Sequence, residues 1–266
     1  MGSFFALIGS RAIHLAGFLG GISKLLYRST YWMVIGPLRG KGLRWRASMR
    51  QMVVVGFNAI PIVTLISVFI GVIIALQGAY TLRRFEALNY VVDMVAVTVT
   101  RELGPLLTAI IVIGRSGSAF AAEIGTMKVG EEVDALQTMG LNPVRFLVVP
   151  RYLAMLIMLP CLTTVADTAG VLGGALFAIL NMGWSLQNYL LRTIDALVMR
   201  DVVSGLIKSM VFAVIITKIG CYEGFTVRGG AEGVGRSTTA SVVKSIFSVI
   251  AADMIFTAIF YYGSES

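Results

Sequence analysis

The sequence predicts an all-α integral membrane protein. Of its 266 residues, 57% are hydrophobic and only 14% are charged, and the mean hydropathy is +0.84, which exceeds what the core of a water-soluble domain requires. Several nearly uncharged runs reach the roughly 20 residues that an α-helix needs to cross the hydrocarbon core, whereas a β-barrel would show alternating segments of about ten residues. The net charge is +8, but the basic residues lie mainly at the ends of apolar runs, which indicates membrane orientation rather than nucleic-acid binding.

Residues 1–50 are predicted to form an N-terminal interfacial amphipathic helix and a basic flank. Within residues 3–35, apolar side chains are interspersed with Arg11, Lys24 and Arg28, as in a helix that lies in the membrane interface. A cleavable signal peptide is the alternative, but no small-residue cleavage site follows a compact apolar core. The basic segment RGKGLRWRASMR follows at residues 39–50, and the positive-inside rule places it in the cytoplasm.

Five transmembrane helices are predicted within one domain that covers residues 1–266. The predicted spans are 53–80, 91–120, 151–180, 198–222 and 240–262. With a cytoplasmic N-terminus, five spans leave the C-terminus outside, and an odd number excludes an inverted repeat of equal halves. Pro61 falls inside the first span. In the third, Gly170 and Gly174 have the small-xxx-small spacing that lets helices approach closely.

Among the ionisable residues inside predicted spans, Glu102, Lys208 and Asp253 are the strongest candidates for a functional role. Arg101 and Asp167 are weaker ones, because Arg101 adjoins Glu102 and cannot share its helix face, and Asp167 could bond to the backbone of its own span. Each costs roughly 2.5 kcal/mol or more at the bilayer centre unless it is paired or faces water. Counted along their helices, Glu102, Lys208 and Asp253 lie in the middle third or outer half of the membrane, so they could meet. Two interpretations stay open: a structural ion-pair network, or a polar wall of a cavity that admits a charged head group. A proton relay in an ion-coupled secondary transporter is a further hypothesis, as is the acid/base pair of an intramembrane lipid-modifying enzyme.

A short acidic helix is predicted at residues 131–140, EEVDALQTMG. One side carries Val133, Leu136 and Met139, and the acidic residues lie elsewhere. Gly140, with Pro143 beyond it, is a typical helix stop. Because an isolated helix of about ten residues is marginal in water and an acidic face is repelled by anionic lipid, we expect it to dock on a protein.

The stretch GGAEGVGRST, residues 229–238, nearly matches the phosphate-loop pattern. Arg236 stands where that pattern has Lys, and a membrane span rather than a strand precedes it. The sequence therefore predicts a glycine-rich cytoplasmic turn in which Ser or Thr caps the fifth span. Neither catalytic residues nor a metal site is predicted, because His14 has no evident partners and both cysteines lie in apolar segments.

The segment VTRELGPLLTAIIVIGRSGSAFAAEIGTMKVGEEVDALQTMGLNPVRFLVVPR, residues 99–151, resembles the signature of the MlaE/YrbE family. This family comprises the permease subunits of MCE-type ABC lipid transporters. The similarity extends to VFIGVIIALQG in the first span, to GLIKSMVFAVI, to GRSTTASVV and to Asp253, so it covers most of the chain.

The resemblance implies a non-enzymatic permease that moves phospholipids between the inner membrane and an MCE protein, with a role in inter-membrane trafficking and outer-membrane lipid asymmetry. The implied partners are a second copy of the chain, two cytoplasmic ABC ATPase subunits, a hexameric MCE protein and a small STAS-type accessory subunit, with no nucleic acid. The implied localisation is the bacterial inner membrane, with the N-terminus cytoplasmic and the C-terminus periplasmic. No cofactor is implied for the chain itself, because ATP and Mg²⁺ would bind to the ATPases.

The resemblance also implies roles for particular residues. Residues 131–140 match the coupling helix that enters a cleft of the ATPase, and the contact residues would be Glu131, Glu132, Asp134, Leu136, Met139 and Gly140. Glu102, Lys208 and Asp253 match the family's intramembrane charged residues. The end of the first span, with Leu76, Gln77 and Tyr80, matches its lipid-cavity lining. This chain reads LQGAY where other members have an aromatic residue directly after LQG.

Overall fold

The chain is an all-α integral membrane protein. The computed structural model describes the backbone of residues 2–38 and 44–262 and the side chains of residues 16–37 and 44–260, and these residues form no strand. In chain order the α-helices are α1 (Gly2–Leu38), α2 (Trp45–Val55), α3 (Ile60–Leu82), α4 (Tyr90–Thr98), α5 (Gly104–Val112), α6 (Ser118–Val129), α7 (Glu132–Thr138), α8 (Val149–Met182), α9 (Leu186–Ala196), α10 (Met199–Phe225) and α11 (Gly230–Tyr262).

Five helical segments are long and apolar enough to cross a membrane, as predicted. They are Trp45–Phe85, Tyr90–Val129, Val144–Met182, Met199–Phe225 and Gly230–Phe260. We name the two ends of the bundle after the short helices that lie there. The α7 end carries the connections 130–143 and 226–229, and the α9 end carries 83–89 and 183–198.

The first span is a broken helix rather than the single helix predicted at 53–80. α2 ends at Val55, and Gly56 and a 3₁₀ turn at Phe57–Ala59 separate it from α3. Pro61 therefore lies in the first turn of α3. At that position its missing N–H costs no helical hydrogen bond. Pro61 therefore lies at the start of a helix, whereas the sequence predicted it inside one.

The second span contains two π-helical turns, at Val99–Leu103 and Ile113–Gly117. Pro105 follows the first of them and has no N–H to donate, which favours a local departure from regular α-helical bonding. The helix continues to Val129 instead of ending at Phe120. The third span likewise begins earlier than predicted, with a π-helical turn at Val144–Val148 in place of a start at Arg151.

The glycine-rich stretch is helical, so the predicted turn with a Ser or Thr cap is wrong. α11 begins at Gly230 rather than Ala240, and the turn that precedes it ends at Gly229. Gly229 and Gly230 have φ angles of 90° and 70°, in the left-handed region that glycine tolerates best. Thr238 lies inside α11, where its hydroxyl donates to the Gly235 carbonyl at 2.6 Å.

Small residues bring α3 and α8 into close contact, at Gly170 as predicted but at Gly173 rather than at Gly174, which packs against Val95 and Tyr189. Gly71 of α3 packs directly on the Gly170 carbonyl, and Gly173 packs on the Val68 carbonyl. Such contacts let helix backbones approach within the bilayer, where packing rather than water exclusion holds helices together.

Gly71→Ala is expected to lower the free energy of unfolding by about 1–3 kcal/mol, because the added methyl group would overlap a rigid backbone carbonyl. The measurement is thermal unfolding of the purified chain in detergent. Gly235→Ala is the matched control, since a Cβ there meets no atom within 4 Å. We expect that control to be neutral or slightly stabilising, because Ala favours a helix more than Gly does. Equal stability of the two variants would contradict the packing argument.

α1 is one continuous helix that packs against the α7 half of the bundle. Leu25 and Ser29 are buried, and the Phe18 and Tyr222 rings meet edge to face with centroids 5.5 Å apart. The interfacial position of α1 stays a prediction. Arg39, Lys41 and the side chain of His14 lie outside the described residues.

Candidate functional site

The three intramembrane charged residues singled out by the sequence form one buried network. Lys208 Nζ lies 2.6 Å from Glu102 Oε2, to which it donates a hydrogen bond, and 3.0 Å from Asp253 Oδ1. The contact with Asp253 is an ion pair without hydrogen-bond geometry. Thr257 Oγ1 accepts from Lys208 at 2.9 Å and donates to Glu102 Oε1 at 3.0 Å. The structure thus brings residues from spans two, four and five to a single point.

The lysine at the centre of this network is fully buried. Lys208 has 0% exposure, whereas the side chains of Glu102 and Asp253 are 27% and 14% exposed. Two carboxylates around one ammonium group leave a net negative site that is partly open. Glu102 lies in the π-helical turn Val99–Leu103, and such turns are common at functional sites.

The predicted lining residues Leu76, Gln77 and Tyr80 lie on the exposed side of α3. The Tyr80 hydroxyl accepts a hydrogen bond from Arg84 Nη2 at 3.0 Å. Within the described residues, neither a hydrogen bond nor an ion pair connects these three side chains to the charged network. The structure therefore presents two separate features, a polar cluster and an apolar helix face.

The predicted acidic helix at 131–140 is present as α7, Glu132–Thr138. Glu131 precedes it with a φ of 58°. Gly140 has a φ of 74°, and the amides of Gly140 and Leu141 donate to the carbonyls of Gln137 and Leu136 at 3.0 and 2.9 Å. This is a Schellman motif, which explains why the helix stops at the predicted glycine.

α7 rests on the bundle through only part of its surface. Val133 is buried and Leu136 is half-buried, whereas Met139 is 72% exposed. Lys128, at the end of span two, pairs with Asp134 at 2.8 Å. Beside the helix lies an open cleft of about 460 Å³. Its lining comprises Arg28, Val133, Gln137, Gly140, Leu141, Asn142, Pro143, Val144 and Phe225.

A second group of buried charges lies in the α7 half and was missed by the sequence reasoning. Lys218 Nζ donates to Ser29 Oγ at 2.6 Å and lies 3.1 Å from the centroid of the Tyr152 ring. Glu223, also buried, accepts from Lys244 Nζ at 2.7 Å. Lys218 lies inside the predicted fourth span, so the argument applied to Lys208 would have found it. Glu223 lies one residue beyond the predicted end at 222 and falls inside the span only because the helix continues to Phe225. Their contacts attach α1 to α10 and α10 to α11.

α9 was also missed. Ser185 caps it by accepting from the Asn188 amide at 3.2 Å, a signal that the sequence contains. The Tyr189 hydroxyl donates to the Val171 carbonyl at 3.2 Å, and burial raises the pKa of Tyr189 to about 12. Arg192 binds both carboxylate oxygens of Asp93 at 2.8 and 2.7 Å, which raises the pKa of its guanidinium. α9 therefore links the ends of spans two and three.

Comparison with known proteins places this architecture in a family. The profile of the family described as Permease MlaE matches residues 48–259. The chain is 37% identical to a probable ABC transporter permease protein of Rickettsia felis over 254 residues, 96% of each chain. It is 42% identical to a corresponding protein of Rickettsia typhi over 213 residues, 80% of this chain and 82% of the relative.

A plant relative is also similar. The chain is 37% identical to the chloroplastic protein TRIGALACTOSYLDIACYLGLYCEROL 1 of Arabidopsis thaliana over 232 residues, which cover 87% of this chain and 66% of the relative. The family match covers three of the five membrane-crossing segments completely and nearly all of the first and the fifth. The chain is a multi-pass permease subunit that belongs to the MlaE permease family.

Proposed function

We propose that this permease moves phospholipids between the bacterial inner membrane and an MCE protein, powered by separate ABC ATPase subunits. Similarity to probable ABC transporter permeases supports the ATPase partners. A lipid cargo is supported by the family and by a plant relative whose name contains trigalactosyldiacylglycerol. In this proposal the chain needs no cofactor of its own, since ATP and Mg²⁺ bind to the ATPases.

The Glu102–Lys208–Asp253 network is the observation that carries the proposal. It is a charged, partly open cluster within a bundle whose other surfaces are largely apolar. A phospholipid needs polar partners for its head group and an apolar wall for its acyl chains, and the two must be adjacent. We propose that the network supplies the polar side of the lipid cavity.

The apolar wall would come from helices that this chain leaves uncovered. α3 exposes one continuous apolar face, and so does α11. The α3 residues are Ile62, Leu65, Phe69, Ile73, Leu76 and Tyr80, and the α11 residues are Val243, Phe247, Ile250, Met254 and Ile259. We propose that two copies of the chain meet along these faces and enclose the lipid between them, with Gln77 near the seam.

We propose that work from the ATPases reaches the membrane domain through α7 and span two. Span two runs as one helical segment from Tyr90 to Val129 and carries Glu102. α7 follows after one turn and is tied back to that segment by the Lys128–Asp134 ion pair. A displacement of α7 by a moving ATPase would therefore shift span two as a body. We propose that Glu131, Glu132, Asp134, Leu136, Met139 and Gly140 form the ATPase contact.

The remaining partners and the orientation follow from the same proposal. The ATPases would bind at the α7 end, which places that end and the N-terminus in the cytoplasm and the C-terminus in the periplasm. The hexameric MCE protein would bind at the α9 end, and a small STAS-type subunit would accompany the ATPases. The basic residues of the α7 end, among them Arg44, Arg46, Arg50 and Arg145, support this orientation by the positive-inside rule.

The test is lipid transfer from vesicles that contain the chain, its ATPases and the MCE protein. Labelled phospholipid is expected to move only with hydrolysable ATP, and vesicles with a non-hydrolysable analogue are the control. Flux driven by a proton gradient in vesicles without ATPase would contradict the proposal. That result would instead support an ion-coupled secondary transporter, in which Glu102, Lys208 and Asp253 relay protons.

A further inference from the structure

A basic cavity lies at the α7 end, away from the proposed lipid seam. It has a volume of about 380 Å³ and opens between α2, the middle of α6 and the first residues of the third span. Its lining comprises Arg44, Ala47, Arg50, Gln51, Val54, Glu123, Phe146, Leu147, Pro150 and Arg151. Glu123 follows Glu102 by about 30 Å along span two, at roughly 1.5 Å per residue, so the cavity and the charged network are distinct sites.

Arg151 is the buried base of this cavity. It is only 7% exposed. One nitrogen, Nη2, lies 2.5 Å from Glu123 Oε2, and Nη1 donates to the Leu147 carbonyl at 2.7 Å. Its Nε is buried and has no hydrogen-bond partner among the described residues. A buried donor without a partner is costly, and the residue that carries it is one of those that line the cavity.

Arg44 is held at the rim of the cavity. Its guanidinium carbon lies 3.5 Å from the centroid of the Phe146 ring, and Nη1 donates to the Phe146 carbonyl at 3.3 Å. A guanidinium has five N–H donors, so several remain available. Arg50 also lines the cavity and is exposed, and it forms neither a hydrogen bond nor an ion pair with the described residues.

The charge of the lining selects the class of ligand. Three guanidinium groups face the single carboxylate of Glu123, which leaves two positive charges uncompensated. Guanidinium groups bind phosphate in a planar, bidentate manner. Basic pockets between transmembrane helices at the cytoplasmic side are typical sites for phosphate-bearing head groups.

An apolar stripe runs along the outside of α2 and the 3₁₀ turn that follows it. Trp45, Met49, Val53 and Phe57 recur every four residues and are 48–68% exposed. A tryptophan at the start of a span is typical of the membrane interface. The cavity therefore lies at the level of lipid head groups, and the stripe leads from it toward the acyl chains.

We propose that this cavity binds a phosphate group, supplied either by the head group of a phospholipid in the adjoining leaflet or by a soluble phosphate ester. Arg44, Arg50 and Arg151 are the binding residues. This site does not depend on the transport proposal, because it uses neither the seam nor the charged network. We expect the diacyl lipid to bind more tightly than the soluble ester, because the stripe adds apolar contact.

The test uses the purified full-length chain in detergent and native mass spectrometry. The probes are phosphatidylglycerol, a diacylglycerol that lacks phosphate, and glycerol 3-phosphate. Ala47 lines the cavity, so Ala47→Glu places a carboxylate among the arginines, and Ala47→Gln adds the same volume without charge. The affinity for phosphatidylglycerol is expected to fall at least tenfold in A47E and to stay within about threefold of wild type in A47Q.

A second pair of variants keeps the proposal testable should the glutamate variant not fold. Arg50→Gln removes a charge that lines the cavity, whereas Arg46→Gln removes one from the same helix outside the lining. Only R50Q is expected to weaken binding, by about tenfold. Equal binding of the lipid with and without phosphate, or equal affinities within both matched pairs, would overturn the proposal. Binding of glycerol 3-phosphate as tight as that of the lipid would identify the source as a soluble ester.

Discussion

Replacement of Lys208 by Met is expected to destabilise the membrane domain by about 3–5 kcal/mol and to stop lipid transport. Lys208 is fully buried and is paired with both Glu102 and Asp253. Its loss would leave two carboxylates close together in the membrane without a cation, and an uncompensated buried charge is costly. Thermal unfolding of the purified chain and lipid transfer by the assembled complex are the two measurements.

A control variant separates the loss of a buried, paired lysine from the general effect of replacing a lysine by methionine. Lys128 pairs with Asp134 at the α7 end, where both side chains are substantially exposed. Exposed ion pairs contribute only about 0–1 kcal/mol, so Lys128→Met should unfold close to the wild-type temperature. A similar loss of stability in both lysine variants would show that burial of the pair is not the cause.

The triple variant K208M/E102Q/D253N distinguishes a structural network from a lipid-binding one. Removal of all three charges leaves no uncompensated ion, and apolar or neutral replacements of buried ion pairs are often close to neutral for stability. We expect stability to recover while transport stays at least tenfold below wild type, because the polar wall of the cavity is absent. Recovery of both would assign the network a purely structural role.

Met139→Arg is the second variant with a large expected effect. Met139 is 72% exposed at the end of α7, where the ATPase contact is proposed. A charged side chain buried in that interface without a partner would weaken docking by several kcal/mol. Lipid-stimulated ATP turnover of the reconstituted complex is expected to fall at least tenfold while the membrane domain stays folded.

A matched variant controls this experiment. Met139→Leu keeps an apolar side chain and should retain turnover. Asp134→Arg is expected to abolish turnover too, but it also breaks the pair with Lys128. Unchanged turnover in Met139→Arg would exclude α7 as the coupling helix.

The membrane-spanning pattern was accessible from the sequence because hydropathy acts along the chain. All five spans were predicted, and the end of α7 at Gly140 followed from the preference for glycine just after the last turn of a helix. The helix ends were predicted less well. The break at Gly56 and the extension of α11 to Gly230 depend on how neighbouring helices support the backbone. The amino-acid sequence alone does not specify that support.

The sequence identified charged residues inside the membrane but did not show how they pair. Their cost in a membrane singled out Glu102, Lys208 and Asp253, and the same cost would have identified Lys218 in the fourth span but not Glu223, which lies one residue beyond its predicted end. It could not show which residues pair. The separation of Leu76, Gln77 and Tyr80 from the network was equally hidden, because it depends on the rotation of α3 within the bundle.

The sequence by itself determined the all-α class, the number of membrane crossings and which charged residues need a partner inside the bilayer. These properties arise from transfer free energies that each residue carries wherever it lies. Only the tertiary structure decided that Lys208 joins two carboxylates, that Arg44, Arg50 and Arg151 line one basic cavity, and that α9 ties two spans together. Pairing depends on distances of a few ångströms between residues that are far apart in the chain, and packing of the helices sets those distances.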